Sequence, residues 1–303
     1  MDAVRTCDLT KRFGGKTAVD RFGMRVGKGD IYGFVGRNGA GKTTVMRMLA
    51  GLAEPTDGEA RVFGASPKEA GTARRIGVLI EHPGLYGSMS AYDNLMMKAL
   101  ALGLVDPKGK SRELLEFVGL GQVGRMKAKR FSLGMKQRLG LALALLGDPD
   151  LLLLDEPLNG LDPEGAQEVR RLIMQLNDQR GVTVVVSSHA LEQLGRMATR
   201  YGVIREGRMV RELTAADVER ECSDFLQVET ANPKRALAVL QERFPALRFQ
   251  AIPDASLRAF GGADAAAVGA ALAEQGIAVS GLYAHKRDLE EFFVEMMGAE
   301  HRG

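Results

Sequence analysis

The residue types that bind phosphate gather in one stretch, Gly36-Arg37-Asn38-Gly39-Ala40-Gly41-Lys42-Thr43-Thr44. Four residues separate Gly36 from Gly41, and Lys-Thr closes the pattern, as a phosphate-cradling loop requires. Gly36, Gly39 and Gly41 let the backbone turn tightly and aim its N–H groups at oxygen anions. The helix expected over Thr44–Leu52 adds the positive end of its dipole. Lys42 reaches the β- and γ-phosphates in such a loop, and the Thr43 hydroxyl ligates Mg²⁺. Asn38, Ala40 and Thr44 complete the cradle. The expected ligand is a nucleoside triphosphate.

A second group lies about 110 residues further on, where the four leucines Leu151–Leu154 run into Asp155-Glu156-Pro157. An acidic pair alone says little, but behind a phosphate loop it completes a hydrolytic site. Asp155 would hold Mg²⁺, and Glu156 would polarise the attacking water. The next apolar run, Val182–Val186, ends at Ser187-Ser188-His189. His189 there can bond the γ-phosphate and orient Glu156.

These groups need elements to position them. The run Asp30–Val35 reads as a strand leading into the loop, so strand, loop and helix follow in the order the motif demands. Leu151–Leu154 is apolar throughout and Val182–Val186 is apolar but for Thr183, as parallel strands covered on both faces are. Both acids and His189 then sit at carboxyl ends of strands, the edge where open α/β sheets bind ligands.

Around this centre, residues 3–35 read as short strands turning at Gly14-Gly15. Phe13 there is either an adenine-stacking ring or plain core. A strand over Glu59–Gly64, a short basic helix over Lys68–Arg75 and a strand over Ile76–Ile80 follow. Ser90-Ala91-Tyr92-Asp93 is a capping box for a helix to about Leu102. Asp106-Pro107 opens another, ending near Val118. Phe131–Arg138 precedes an apolar helix over Leu139–Leu146, and Asp162-Pro163 caps a long one reaching Arg180. Composition shifts after about Ala216–Glu221. Strand 225–230, helix 233–244, strands 248–252 and 256–260, helix 264–275 and strand 277–284 suggest a ferredoxin-like unit. A helix over Asp288–Met297 closes the chain.

With 303 residues, 45% hydrophobic and 26% charged, the chain can hold two ordinary cores and is not expected to be disordered. A net charge of +3 neither marks nor excludes a nucleic-acid surface. The basic run Arg125–Arg130 carries no interleaved aromatics, so it reads as a solvated face. Cys7 and Cys222 offer neither metal spacing nor a disulfide framework, which suits a reducing cytoplasm. No signal-peptide core or apolar run of about 18 residues appears, so any membrane role is exerted from outside the bilayer.

The phosphate loop, Phe131-Ser132-Leu133-Gly134-Met135-Lys136-Gln137, Leu151–Pro157, Asp162 and His189 together resemble the ATP-binding cassette (ABC) ATPases over about residues 3–215. The resemblance implies a cassette of mixed sheet and helical subdomain over 1–220, with the helical insert at about 85–147. Beyond the resemblance, residues 221–303 are expected to form the small C-terminal α+β domain. The resemblance also implies that Ser132 and Gly134 contact the γ-phosphate held by a second copy, that Asp162 crosses the dimer interface, and that Phe13 stacks on adenine. Leu133 and Met135 depart from the commoner glycine and glutamine. Glu81 stands where the family usually places a glutamine that reaches Mg²⁺, and this is similar to the bacitracin-resistance and lantibiotic-immunity exporters. Glu81 is therefore expected as a metal ligand beside Thr43 and Asp155.

The expected protein is a homodimeric ATPase using ATP and Mg²⁺ on the cytoplasmic face of the membrane. It would dock on separate transmembrane permease subunits, through the helical insert at Ser90–Val118, and drive export of a peptide antibiotic or similar amphipathic compound. No nucleic acid is expected as a partner. The alternative is a non-transport ABC ATPase acting on a soluble macromolecule. Against that stand a single set of motifs and the lack of sustained heptads.

Overall fold

A computed structural model describes residues 2–81, 83–189, 191–222, 224–252, 256–285 and 289–298. The chain opens with β1 (Asp2–Phe13) and β2 (Lys16–Gly27), an antiparallel hairpin joined by Gly14-Gly15. These are twelve-residue strands rather than the short ones expected. Register shifts between Thr6 and Leu9, and at Lys11, interrupt the alternation by which strand length is read. β3 (Ile31–Val35) is buried at every position and delivers the phosphate loop to α1 (Lys42–Leu49). β4 (Asp57–Val62), α2 (Ala70–Ala73) and β5 (Ile76–Leu79) follow; α2 is one turn, shorter than the basic helix expected.

The helical insert contains α3 (Ala91–Ala101), α4 (Pro107–Phe117) and α5 (Leu133–Leu145). Ser90 and Asp93 form the reciprocal capping box, and Asp106 caps α4 by accepting from the Gly109 amide. α5 starts six residues earlier than expected. The Ser132 hydroxyl accepts from the Met135 amide at 3.2 Å, so the polar Leu133–Arg138 stretch is itself the first turns of the helix. Next come β6 (Leu151–Asp155), α6 (Pro163–Arg180), β7 (Thr183–Ser188), α7 (Leu191–Gly195), β8 (Arg200–Arg205), β9 (Arg208–Thr214) and α8 (Ala215–Glu221).

Among the described residues the cassette strands form two sheets. One has the order β2-β1-β4 and is antiparallel. The other has the order β5-β6-β7-β3-β8-β9, parallel except for the β8–β9 pair. A core including Phe22, Phe34, Met46, Leu49, Leu153 and Val185 joins the first sheet, α1 and the centre of the second. Burying each such side chain is worth about 1.5–3 kcal/mol.

The remaining chain holds β10 (Phe225–Thr230), α9 (Pro233–Arg243), β11 (Arg248–Ile252), β12 (Ser256–Phe260), α10 (Ala265–Glu274), β13 (Val279–His285) and α11 (Leu289–Met296). Its antiparallel sheet runs β11-β12-β10-β13, and Leu226, Val228, Leu257 and Ala259 meet Leu240 and Leu272 of α9 and α10. Asp288, the expected start of the last helix, lies outside the described residues. Contacts divide the chain into two compact units, one of residues up to Ala215 together with 296–298, the other Ala216–Glu295.

α5 presses on β5 at Gly77, where a Cβ would lie 2.5 Å from the carbonyl oxygen of Ala144 and from the Leu152 side chain. Backbone cannot yield as a side-chain tip can, so Gly77→Ala is expected to lower stability by about 1–3 kcal/mol. Urea unfolding reads that loss, and an unchanged midpoint would show that the packing relaxes freely.

Candidate active site

The sheet order places β6, β7 and β3 side by side, so the Asp155-Glu156 end, the Ser188-His189 end and the phosphate loop share one edge. The loop fits there only with glycine at its ends. A Cβ on Gly36 would lie 2.6 Å from Ile204 Cγ2, and one on Gly41, at φ 111°, would lie 2.7 Å from the Ala18 carbonyl oxygen. Phe13, Lys16, the loop residues Asn38, Gly39, Gly41, Lys42, Thr43 and Thr44, Asp155 and Glu156 line a cleft of about 540 Å³. Gly36 and Ala40 belong to the same loop, and the Ala40 amide bonds the Arg37 carbonyl oxygen at 3.1 Å. Phe13 stands at the cleft with its ring 55% exposed, available to stack on a flat ligand; its strand does not bury it as core.

Three elements converge on one carboxylate. Thr43 Oγ1 donates to Asp155 Oδ2 at 2.6 Å, and Ser187 Oγ donates to Asp155 Oδ1 at 2.5 Å. The Glu156 amide donates to Ser187 Oγ at 2.9 Å and to the Ser187 carbonyl oxygen at 3.2 Å. Glu156 holds φ at 50°, a left-handed conformation costly for a residue with a Cβ, and those two bonds keep it there.

Each Glu156 oxygen faces a different cation-forming group. Oε1 is buried without a hydrogen bond, 3.3 Å from Lys42 Nζ, and Oε2 meets His189 Nδ1 at 2.8 Å. Lys42, 6% exposed, also donates to the Gly36 carbonyl oxygen at 2.6 Å. A buried ammonium is tolerated there because a carboxylate and a carbonyl oxygen replace its water.

The donor set fits a small hard cation. Thr43 and Asp155 supply oxygens from two elements, and Mg²⁺ binds through few protein oxygens, with phosphates and waters completing its shell. No cluster of three or more His, Cys, Asp or Glu side chains suited to a metal occurs among the described residues. Glu81, expected in this group, is not brought to it. Its carboxylate lies 2.7 Å from Arg47 Nη2 on α1, outside the residues lining the cleft.

Ser132, Gly134 and Asp162 likewise stand away from the cleft of their own chain. Ser132 caps α5 and Asp162 caps α6, accepting from the Gly165 amide. A Cβ on Gly134 would lie 3.9 Å from Leu161, an ordinary contact, so the two helix starts are neighbours. Ser187 is the residue that sequence reasoning left without a role. Its signal was a hydroxyl directly after three valines, near the end of the strand beside the one bearing the acids. A separate apolar groove of about 450 Å³ lies against the helical insert, lined by Leu79, Ile80, Pro83, Tyr86, Met97 and Leu143 among others.

The ABC transporter family model matches residues 19–159. The bacitracin transport ATP-binding protein BcrA of Bacillus licheniformis is 38% identical over 298 residues, 97% of each chain. The lantibiotic transport ATP-binding protein SrtF of Streptococcus pyogenes is 42% identical over 205 residues, 68% of this chain and 88% of that one. Among solved structures, the ADP conformation of an ATP-binding cassette of an ABC transporter superposes with a TM-score of 0.66 at 22% identity. It covers 73% of this chain and 94% of its own. Phosphate loop, acidic pair and histidine stand on one edge of that cassette fold, and the chain belongs to the ABC transporter ATP-binding family, whose members hydrolyse ATP to power transport.

Proposed function

We propose that two copies of this chain close on two ATP molecules and drive a separate transmembrane permease that exports a peptide antibiotic or similar amphipathic compound. The observation that carries the hydrolytic part is Glu156, poised between Lys42 and His189 beside the Thr43–Asp155 pair. Export of an antibiotic is supported by the likeness to BcrA, which spans 97% of both chains and so includes the C-terminal unit.

In this reading Phe13 stacks on adenine, and the amides of the Gly36–Thr44 loop with Lys42 bind the phosphates. When a γ-phosphate claims Lys42, Glu156 Oε1 is freed to accept a proton from water. His189 holds the other Glu156 oxygen and so fixes which lone pair faces the water. Thr43 and Asp155 would hold Mg²⁺, which would supply positive charge for the phosphate oxygens. Ser132 and Gly134, unable to reach their own cleft, present a capped helix start to the γ-phosphate of the second copy, and Asp162 lies beside them at that interface.

The groove lined by Leu79, Pro83, Tyr86 and Met97 seats a cytoplasmic segment of the permease, which places the protein peripherally on the inner face of the membrane. No helix among the described residues is long and apolar enough to cross a membrane. Residues 221–303 form a ferredoxin-like accessory domain on a cassette of residues 1–220; the strand order β11-β12-β10-β13 with α9 and α10 on one face supports that reading.

Glu156→Gln removes the proton acceptor and keeps the phosphate and metal contacts. Phosphate release should fall by about 100-fold or more while sizing chromatography with ATP shows a persistent dimer. Near-parent turnover would remove Glu156 from its role. A chain ending at Arg220 should still fold and bind ATP, because the cassette holds its own sheets. An insoluble product would show that the returning 296–298 segment is part of the cassette's core.

A further inference from the structure

Four cations crowd one short stretch ahead of α5: Arg125, Lys127, Lys129 and Arg130. All four are exposed, and among the described residues none of them enters an ion pair. Like charges this close repel one another unless an acid or a bound anion offsets them. The backbone nevertheless holds them together. The Ala128 amide donates to the Met89 carbonyl oxygen at 2.8 Å, and the Lys129 amide to that of Gly87 at 3.0 Å. Ala128 and Phe131, both buried, anchor the stretch on its inner side. Asp93, the acid that caps α3, is already engaged by the Ser90 hydroxyl at 2.7 Å.

The stretch is thus a fixed ledge and not a loose basic tail. It pairs with residues 87–90, directly after Tyr86, whose side chain lines the apolar groove against the helical insert. Tyr86 is 57% exposed, and Met126, within the basic stretch, is 44% exposed. Unpaired cations interleaved with an exposed thioether and edged by a phenol suit a surface of anionic headgroups over apolar chains. None of the four cations lines the groove itself, so a peptide segment seated there would leave them uncovered beside it. An extended array of phosphates would cover them.

We propose that the Arg125–Arg130 ledge binds the phosphate headgroups of anionic lipids directly, beside the groove that takes the permease segment. The proposal rests on that reading of the groove only for which face turns to the membrane. Each lysine or arginine near an anionic leaflet adds an attraction that fades within one screening length. The ledge then gives the chain a membrane affinity of its own, and orients the groove before any permease is engaged.

The test is cosedimentation of the full chain with vesicles of phosphatidylcholine alone, or of phosphatidylcholine and phosphatidylglycerol in equal parts. The parent should pellet with the mixed vesicles and stay in solution with the neutral ones. It should be released at about 1 M salt, where the screening length shrinks to about 3 Å. Lys127→Gln with Lys129→Gln should weaken binding to the mixed vesicles by about tenfold or more. Lys234→Gln with Arg243→Gln removes the same charge from exposed positions of α9 and should stay close to the parent. Both double variants should bind ATP as the parent does, which shows that they fold. A parent that ignores the mixed vesicles, or equal losses in the two double variants, overturns the proposal. Binding of poly-glutamate in place of the mixed vesicles, lost with Lys127 and Lys129, would make the ledge a protein contact and overturn it too. None of these readouts uses the permease or hydrolysis, so their failure leaves the proposed function standing.

Discussion

Asp155 is 4% exposed and offers its two oxygens to two hydroxyls, Thr43 at the start of α1 and Ser187 near the end of β7. A carboxylate buried that deeply is tolerated only when hydrogen bonds replace its water. The requirement therefore fixes where three elements end relative to one another. It sets the first turn of the phosphate-loop helix, and it holds the Glu156 backbone in its left-handed turn through Ser187. Lys42, Glu156 and His189 then fall into line. Without the Asp155 junction, the loop would still be able to bind phosphate, but nothing would place a base beside it.

Much of this was legible in residues that have few alternatives. The apolar runs at 151–154 and 184–186 are short and fit buried strands, and the glycines of 36–41 fit a tight loop next to other backbone. The caps at Ser90, Asp106 and Asp162 are short-range contacts, so their spacing in sequence is their geometry. In the C-terminal unit, strands 225–230, 248–252 and 256–260 stand as read. What escaped depended on contacts distant in sequence. The length of the first hairpin is set by register shifts against its partner, and the start of α5 by a single hydroxyl cap inside a polar stretch. The Glu81–Arg47 pair spans 34 residues, and a type-by-type reading had no means of pairing them.

The geometry also separates two kinds of site residue. Lys42, Thr43, Asp155, Glu156 and His189 interlock within one chain through contacts of 2.6–3.3 Å. Ser132 and Asp162 instead spend their side-chain oxygens on capping their own helices, with Gly134 beside them against Leu161. A helix start with a hydroxyl and spare amides is an anion receptor, and the cleft of its own chain is not the one it lines. In the proposed function the cassette carries two half-sites, and a second copy supplies the half that each lacks. In that proposal, closure around nucleotide is the motion that performs work on a permease.

That division is the central claim, and mixing two defective chains tests it directly. Lys42→Ala damages the phosphate-loop half, and Ser132→Ala damages the receptor half; each alone should hydrolyse ATP poorly. In a mixed dimer one site collects both defects, while the other pairs an intact Lys42 with an intact Ser132. Phosphate release from an equimolar mixture should therefore rise well above that of either variant alone, towards about a quarter of the parent rate if the chains pair at random and the intact site works independently. A mixture that never exceeds the average of its two components would show that each cleft works with the residues of its own chain, and the shared-site account would be wrong.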